Sequence, residues 1–394
     1  MRVTQRIIAD QVMRNLNSIA SQLLRTEDML SSGKTLRRPS DDPIRFSRVL
    51  NLRTSLNKLD QYSANVENAI DWLNLLDSSL GETGSVLQEI RTLAIQGANG
   101  TLTDEDLATI ANRVEEALKE LLNIANTNSG DKYLFSGTQT LTVPFTVTGG
   151  VITYWGDGVS IVRAIDGDTT VAIGFPGDQI FFRGFEVWSS NPVTLNQGDS
   201  FTINGVTIEI DASIGSVQDL VNRINNDTTL SQSVYAVSDG SRLFLRSRTS
   251  APIALTDVSG TPLQDWGILD GSGAIVAGNS REAGGIFKVV QDLIADLRAG
   301  NREKISGEDI AKLDEAIDNV LKVRSQVGAR TNRLENALNR FGDFKLSFKE
   351  LLSKNEDIDL AEVVMHLQEW KSVYETALAA GAQVIQPTLL QFLR

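Results

Sequence analysis

Apolar residues recur along much of this chain in alternating steps of three and four, the spacing of a helix that hides one stripe against a partner. The first long run is Val49, Leu52, Leu56, Leu59, Ser63, Val66, Ile70, Leu73, Asp77 and Leu80, with Ser63 and Asp77 as its only polar members. A shorter run precedes it: Ile8, Val12, Leu16, Ile19, Leu23. Near the C-terminus, Ile310, Leu313, Ile317, Val320, Arg324, Val327, Thr331, Leu334, Leu338, Phe341, Lys345, Phe348 and Leu352 keep the same step. Leu360, Val363, Leu367, Trp370, Tyr374, Ala377, Gly381 and Val384 restart it until Pro387. At ~1.5 Å per residue the long segments would run roughly 70 to 80 Å, too long to wrap one compact core. They need one another, or neighbouring copies.

Polar breaks punctuate these runs. Ser31-Ser32-Gly33-Lys34 separates the two N-terminal stripes, and Asn355 to Asp359 separates the two C-terminal ones. Pro39-Ser40-Asp41-Asp42-Pro43 predicts a helix start, with Ser40 as cap and Pro43 in the first turn, where a missing N–H costs little. Thr103 with Asp106, Ser216 with Asp219, and Ser306 with Asp309 have capping-box spacing. Gly81 and Gly84 predict a dent in the long helix.

The middle of the chain alternates instead. Phe201-Thr202-Ile203-Asn204-Gly205-Val206-Thr207-Ile208 is two strands around Asn-Gly, the strongest local hairpin signal. Val147 to Ile152 around Gly149-Gly150 and Val234 to Leu245 around Asp239-Gly240 repeat the theme. The expected fold class is therefore α+β: long terminal helices forming coiled-coil bundles, with an inserted, mainly antiparallel, β-rich domain. The expected organisation is residues 1–45 with 358–394 as a terminal coiled-coil region, 46–137 with 282–357 as a long-helix bundle, and 138–281 as the insert.

Composition removes most chemistry. The 394 residues include no cysteine and one histidine, His366, which excludes disulfides, thiol catalysis and the usual Cys/His zinc sites. The balance of 37 basic against 50 acidic residues, net −13, disfavours a phosphate backbone as partner. The densest basic stretch, Lys34, Arg37, Arg38, Arg45, Arg48 and Arg53, is interrupted by Asp41 and Asp42 and reads as a solvated face or a subunit contact. No stretch approaches ~18 uninterrupted apolar residues, so no membrane span is expected. The N-terminus has no apolar run of signal-peptide type. Gly33-Lys34-Thr35 lacks the earlier glycine and the preceding strand of a phosphate loop. Gly271-Ser272-Gly273 lacks the third glycine of a dinucleotide fingerprint. His366 reads as a helix-surface residue, and Asp166, Asp168 and Asp178 as turn formers. No enzyme activity, cofactor or metal is expected.

The residues also carry a family resemblance. Ser32-Gly33-Lys34 followed by Pro39-Ser40-Asp41-Asp42-Pro43 resembles the N-terminal element of the flagellin superfamily. Ile90-Arg91-Thr92-Leu93-Ala94-Ile95-Gln96-Gly97-Ala98-Asn99 is similar to its arginine–glutamine helix end, and Tyr133-Leu134-Phe135-Ser136-Gly137 to the segment that leaves the helical body. Residues 199 to 257 look like a small domain inserted in flagellins and hook-associated proteins. The ending Ala379-Ala380-Gly381-Ala382-Gln383-Val384-Ile385-Gln386-Pro387-Thr388-Leu389-Leu390, and Tyr154-Trp155-Gly156-Asp157, are similar to the junction-type hook-associated members. Trp370 and His366 depart from the small or polar residues common in that terminal helix.

This resemblance implies a structural subunit of the bacterial flagellum, exported unfolded without a cleaved signal and placed between hook and filament. It implies self-assembly in a ring, an adjoining hook-associated protein on one side, flagellin on the other, and an export chaperone that holds the C-terminal helix. The insert would face outwards, and the terminal helices would be disordered in the free monomer. The residues expected at coiled-coil and subunit contacts are Ile8, Val12, Leu16, Ile19, Leu23, Leu56, Leu334, Leu367, Trp370, Tyr374, Val384, Leu389 and Leu390. Two other readings stay open: flagellin itself, and an intracellular coiled-coil binding module.

Overall fold

The computed structural model describes residues 2–385, with side chains described at residue 7 and over residues 10–382. Three helices come first: α1 (Arg2–Ser32), α2 (Pro43–Gly97) and α3 (Asp104–Ala125). Short strands follow: β1 (Asn128–Ser129), β2 (Lys132–Tyr133), β3 (Phe145–Thr148), β4 (Val151–Tyr154), β5 (Val162–Ala164), β6 (Thr170–Ala172) and β7 (Glu186–Trp188). Next come β8 (Ser200–Ile203), β9 (Val206–Glu209), α4 (Val217–Asn226), β10 (Val234–Ser238), β11 (Leu243–Ser247), β12 (Leu255–Ser259), α5 (Pro262–Asp265) and β13 (Ser280–Arg281). The chain then returns to helix: α6 (Ile286–Ala299), a single turn α7 (Arg302–Lys304), α8 (Ile310–Glu356) and α9 (Leu360–Ile385). The α+β class is as the patterning indicates. The chain divides into two compact units, one of Met1–Ser63 with Asn339–Arg394, the other of Ala64–Leu338.

In the first unit α1 stops where Gly33 takes a left-handed φ of 69°, a conformation that costs glycine nothing and an L side chain a good deal. The cap of α2 is Asp42, not Ser40: its Oδ1 accepts from the Ile44 and Arg45 amides, both at 3.0 Å. Pro43 occupies the first helical position, which leaves the residue just before it as the only one placed to reach those amides. Asp359 caps α9 in the same way, accepting from Ala361 at 2.9 Å and Glu362 at 3.3 Å.

In the second unit the long helices meet through the stripes seen in the sequence. Val66, Leu73 and Leu80 of α2, and Leu313, Val320, Val327 and Leu334 of α8, are buried. One polar member of each stripe finds the other: Arg324 of α8 forks onto Asp77 of α2 at 3.0 and 3.1 Å. A Cβ added at Gly81 would stand 3.6 Å from the Arg324 guanidinium, an ordinary contact distance, and α2 runs through Gly81 and Gly84 unbroken. Thr103 does form a capping box with Asp106 at the start of α3. Ser306 does not cap α8. The helix has already begun at Arg302, after Gly300 ends α6 with a φ of 71°, and Ile305–Asp309 form one turn of wider π winding. Ser306 Oγ donates instead to the Glu303 carbonyl at 3.0 Å.

The strands are antiparallel throughout. One sheet has the order β10-β11-β7-β13, a second β12-β8-β9, and β3-β4 and β5-β6 are separate hairpins. Asn204 and Gly205 turn β8 into β9 with φ of 48° and 84°, both left-handed, as the Asn-Gly pair predicts. Ser216 caps α4, accepting from the Asp219 amide at 3.2 Å. Between the sheets and α4 lies one apolar core in which Phe201 meets Trp266 edge to face, with Ile208, Leu220, Ile224 and Leu245 around them.

Candidate assembly interface

The breaks between stripes pair with each other. Thr35 donates its amide to the Glu356 carbonyl at 2.6 Å, and the Ile358 amide donates to the Gly33 carbonyl at 3.2 Å. A one-residue bridge thus forms between Lys34 and Asp357. The Glu356 carboxylate lies beneath it, 3% exposed as a residue, where it pairs with Lys34 and, at 2.5 Å, with Arg53. Arg45 donates to the Asn355 carbonyl at 2.5 Å. Three members of the basic stretch therefore converge on the end of α8. A buried carboxylate needs such partners, and this one has two. Arg37 turns away to Asp28, at 3.2 Å.

Beyond the bridge, α1 packs along α9. Gly381 of α9 is buried, and a side chain there would come within 3.0 Å of Val12 and 3.8 Å of Leu16. Val12, Leu16, Ile19 and Leu23 of α1, with Leu367, Trp370 and Tyr374 of α9, are half-buried on the facing stripes. Leu56 is half-buried on α2 in the same unit, and Leu334 fully buried in the other. The side chains of Ile8 and Val384 lie outside those described, and Leu389 and Leu390 lie outside the described residues altogether. Outside these stripes the two helices stay apolar in places: Met13 and Leu24 of α1 and Met365, Val373 and Leu378 of α9 are exposed. His366 is also exposed, 3.3 Å from Glu369 and 3.7 Å from Glu362 on its own helix.

These helices are what known proteins share. The family description "bacterial flagellin N-terminal helical region" matches residues 3–140, and "bacterial flagellin C-terminal helical region" matches residues 310–393. Together they span more than half of the chain. The chain belongs to the flagellin family. Among curated members, flagellar hook-associated protein 3 of Escherichia coli K12 is 27% identical over 275 residues, 70% of this chain and 84% of that protein. A flagellin of Clostridium tyrobutyricum is 25% identical over 405 residues, 98% of this chain and all of that protein. The crystal structure of flagellar hook associated protein-3 from Legionella pneumophila shares the fold, with a TM-score of 0.50 at 22% identity over 78% of this chain and 98% of that one.

In this flagellin-family chain the first match ends where the polypeptide leaves the helices. That exit is tied down from several sides. Phe135 meets Phe181 edge to face at 4.9 Å, and Phe145 meets Phe287 of α6 at 5.1 Å. The Tyr154 hydroxyl donates toward the carbonyls of Phe135 and Asp157, each at 3.0 Å, and burial holds that phenol well above its ordinary range. The Asp157 carboxylate accepts from the Thr138 amide at 2.7 Å and from its hydroxyl. The Tyr-Trp-Gly-Asp element is therefore the clasp on the exit segment, a role that its four letters do not announce.

Two ionic sites escaped the sequence reading. Asp178, expected in a turn, is buried and accepts from Tyr235 at 2.8 Å and Arg246 at 2.5 Å. Arg246 also donates to Glu186 at 2.7 Å. Burial raises the Asp178 pKa, against the opposing pull of Arg246 and Tyr235. Its partners lie 57 and 68 residues away, which no local pattern encodes. The second site is the π turn, where Asp309 is buried with no hydrogen-bond partner among the described residues. Burial, and then the neighbouring Asp296 charge, push its pKa up to about 6. Asp296 stays low: burial opposes its charge, but Asn301 at 2.9 Å and Lys304 at 2.7 Å outweigh that. Among the described residues no group of three acidic or histidine side chains is placed to hold a metal ion, and no helix is long and apolar enough to cross a membrane.

Proposed function

We propose that this chain is the structural subunit that joins the flagellar hook to the filament, a load-bearing adaptor without catalytic chemistry. The observation that carries the reading is the likeness to hook-associated protein 3 over 70% of the chain, combined with paired ends that leave apolar side chains uncovered. Met13, Leu24, Met365, Val373 and Leu378 suit packing against further copies in a ring. One rim of that ring would meet another hook-associated protein and the other rim flagellin. The protein would lie outside the cell, and an export chaperone would hold the C-terminal helix beforehand.

α1 and α9 would pair only loosely in the free monomer, opening often to unfolded ends, and would lock on assembly, with the strand-rich insert facing outwards. Limited proteolysis of dilute protein should then trim both ends and leave a stable middle. Termini that resist protease would rule that out.

The full-length match to the Clostridium flagellin keeps a filament subunit as the second, less supported reading. Location and growth separate the two. Gold-labelled antibody on sheared flagella should mark one band at the hook boundary, and cells without the protein should keep hooks while releasing flagellin. Labelling along the whole filament, or long homopolymers grown from the purified chain, would favour flagellin.

A further inference from the structure

Beside the exit clasp lies a cleft of about 550 Å³ that neither the helical regions nor the assembly reading uses. One wall is the polar face of α4, with Gln218, Asn222 and Asn226; the other is the Trp155-Gly156-Asp157 turn with Gln139; the floor is strand β10. We propose that this cleft binds a neutral saccharide, with Trp155 as the apolar platform and the side-chain amides as readers of its hydroxyls.

The chemistry of the walls selects this class. The charged groups in the cleft are already engaged. Arg248 donates to the carbonyls of Tyr154 at 2.8 Å, Gly156 at 3.1 Å and Ser231 at 2.7 Å, and lies over the Trp155 ring, 5.6 Å from its centroid. Asp157 is held by Thr138. A phosphorylated or carboxylated ligand would meet no uncommitted cation there. What remains is neutral and planar. Gln139, Gln218, Asn222 and Asn226 are exposed amides, and each offers a donor and an acceptor side by side, the complement of vicinal hydroxyls. Trp155 is half-buried and sends its indole N–H away to Thr146 at 2.8 Å, so its part in the cleft is the apolar ring surface that Arg248 leaves uncovered.

A peptide is the obvious rival, because β10 is an edge strand of its sheet. That edge is blocked. Asn225 accepts from the Ala236 amide at 2.7 Å and donates to its carbonyl at 2.9 Å, and so occupies the positions that an added strand would use.

The test is saturation-transfer NMR on the full chain, with two disaccharides at millimolar concentration. One is β-1,4-linked N-acetylglucosamine, representing cell-wall sugars; the other is lactose, representing surface glycans. Transfer to either ring system is expected, and which one responds assigns the source. Asn222→Ala, an exposed change whose one side-chain bond in the protein is to Gln218 at 3.3 Å, should weaken binding about tenfold, one lost polar contact, with the circular dichroism unchanged. Trp155→Ala should abolish it. If that variant unfolds, Trp155→Phe, which keeps a smaller platform, should bind more weakly but measurably. No transfer with either sugar, or transfer that Asn222→Ala and Trp155→Phe both leave unchanged, would overturn the proposal.

Discussion

The two compact units use the same kind of helix and arrive at opposite states of burial. In the unit of Met1–Ser63 with Asn339–Arg394, the buried apolar side chains among the described residues are Leu36, Val49, Phe341 and Val363. In the unit of Ala64–Leu338, buried apolar residues occupy nearly every inward position of α2, α3, α6 and α8, and a second core fills the space between the sheets. Helix pattern alone does not make a core; a third layer is needed to close over the stripe. In the larger unit α3 and α6 provide it, with Leu107, Leu121, Leu293 and Leu297 buried. In the smaller unit α1 and α9 supply half-buried facing stripes and leave their backs to solvent. A chain meant to fold completely alone would not stop there. One meant to be finished by its neighbours would.

The sharpest way to break this contrast is to place the same charge in both seams. Leu334 is fully buried and Leu56 only half so. Leu334→Asp should cost more than about 4 kcal/mol, or prevent folding, because an unpaired carboxylate would sit in an apolar seam. Leu56→Asp should cost the free protein about 1 kcal/mol, since its carboxylate can reach water. Equal losses on urea titration would show that the smaller unit has a closed core after all.

The π turn belongs to the closed unit and gives a pH signature to match. Asp309 has a pKa of about 6 when folded against an ordinary 3.8, under the joint influence of burial, Asp296, Lys304, Lys312 and Glu308. A raised carboxyl pKa means that the folded protein holds a proton which the unfolded chain releases first. Its contribution is therefore present below about pH 4, is lost progressively up to about pH 6, and stays lost above. Asp309→Asn removes that titration and should raise stability at pH 7 by about 1–3 kcal/mol, the upper limit being the full shift. The difference in melting temperature between the two proteins should shrink as pH falls from 6 to 4. A pH-independent difference would mean that Asp309 is not protonated in the fold.

In the open unit, Glu356 offers a smaller and more local probe. Glu356→Gln leaves Lys34 and Arg53 without their shared carboxylate. Both cations are about half exposed, so water compensates, and the loss should be about 1 kcal/mol. It should appear as faster hydrogen exchange at the Thr35 and Ile358 amides, which bridge the two breaks, while the global melting temperature holds. A drop in global stability would tie the two units more closely than their burial suggests.

Much of this was legible in the chain. The three–four steps located α2, α8 and the order of the helices, because heptad spacing is a local property. The Asn204-Gly205 turn and the Thr103 box follow from chemistry within four residues. The pairing of Asp77 with Arg324 was half visible, as two polar faults in two seams, but nothing short of the fold could join them. Ser40 and Ser306 misled for one reason: each is a good cap next to a better-placed start, Asp42 before Pro43 in one case and the turn at Arg302 in the other. The clasp at Tyr154 and the buried Asp178 depend on partners from distant segments, and neither leaves a periodic trace.

Gly381 carries the smallest expected effect on the free protein and the most telling one on assembly. Gly381→Ala gains about 1 kcal/mol in helix propensity. The new methyl would stand 3.0 Å from Val12, tighter than ordinary contact, so α1 must yield by a few tenths of an ångström. In a half-buried pair with solvent behind it α1 can do so, and the two terms should cancel to within about 0.5 kcal/mol in the melting of the isolated chain. If neighbouring copies pack on the outer faces of α1 and α9, that freedom disappears and the same methyl meets a fixed wall. Gly381→Leu, which enlarges the clash, should then melt close to wild type yet leave cells with hooks and few filaments. Normal filaments with Gly381→Leu would mean that the α1–α9 spacing seen here is not the one used in the assembled flagellum.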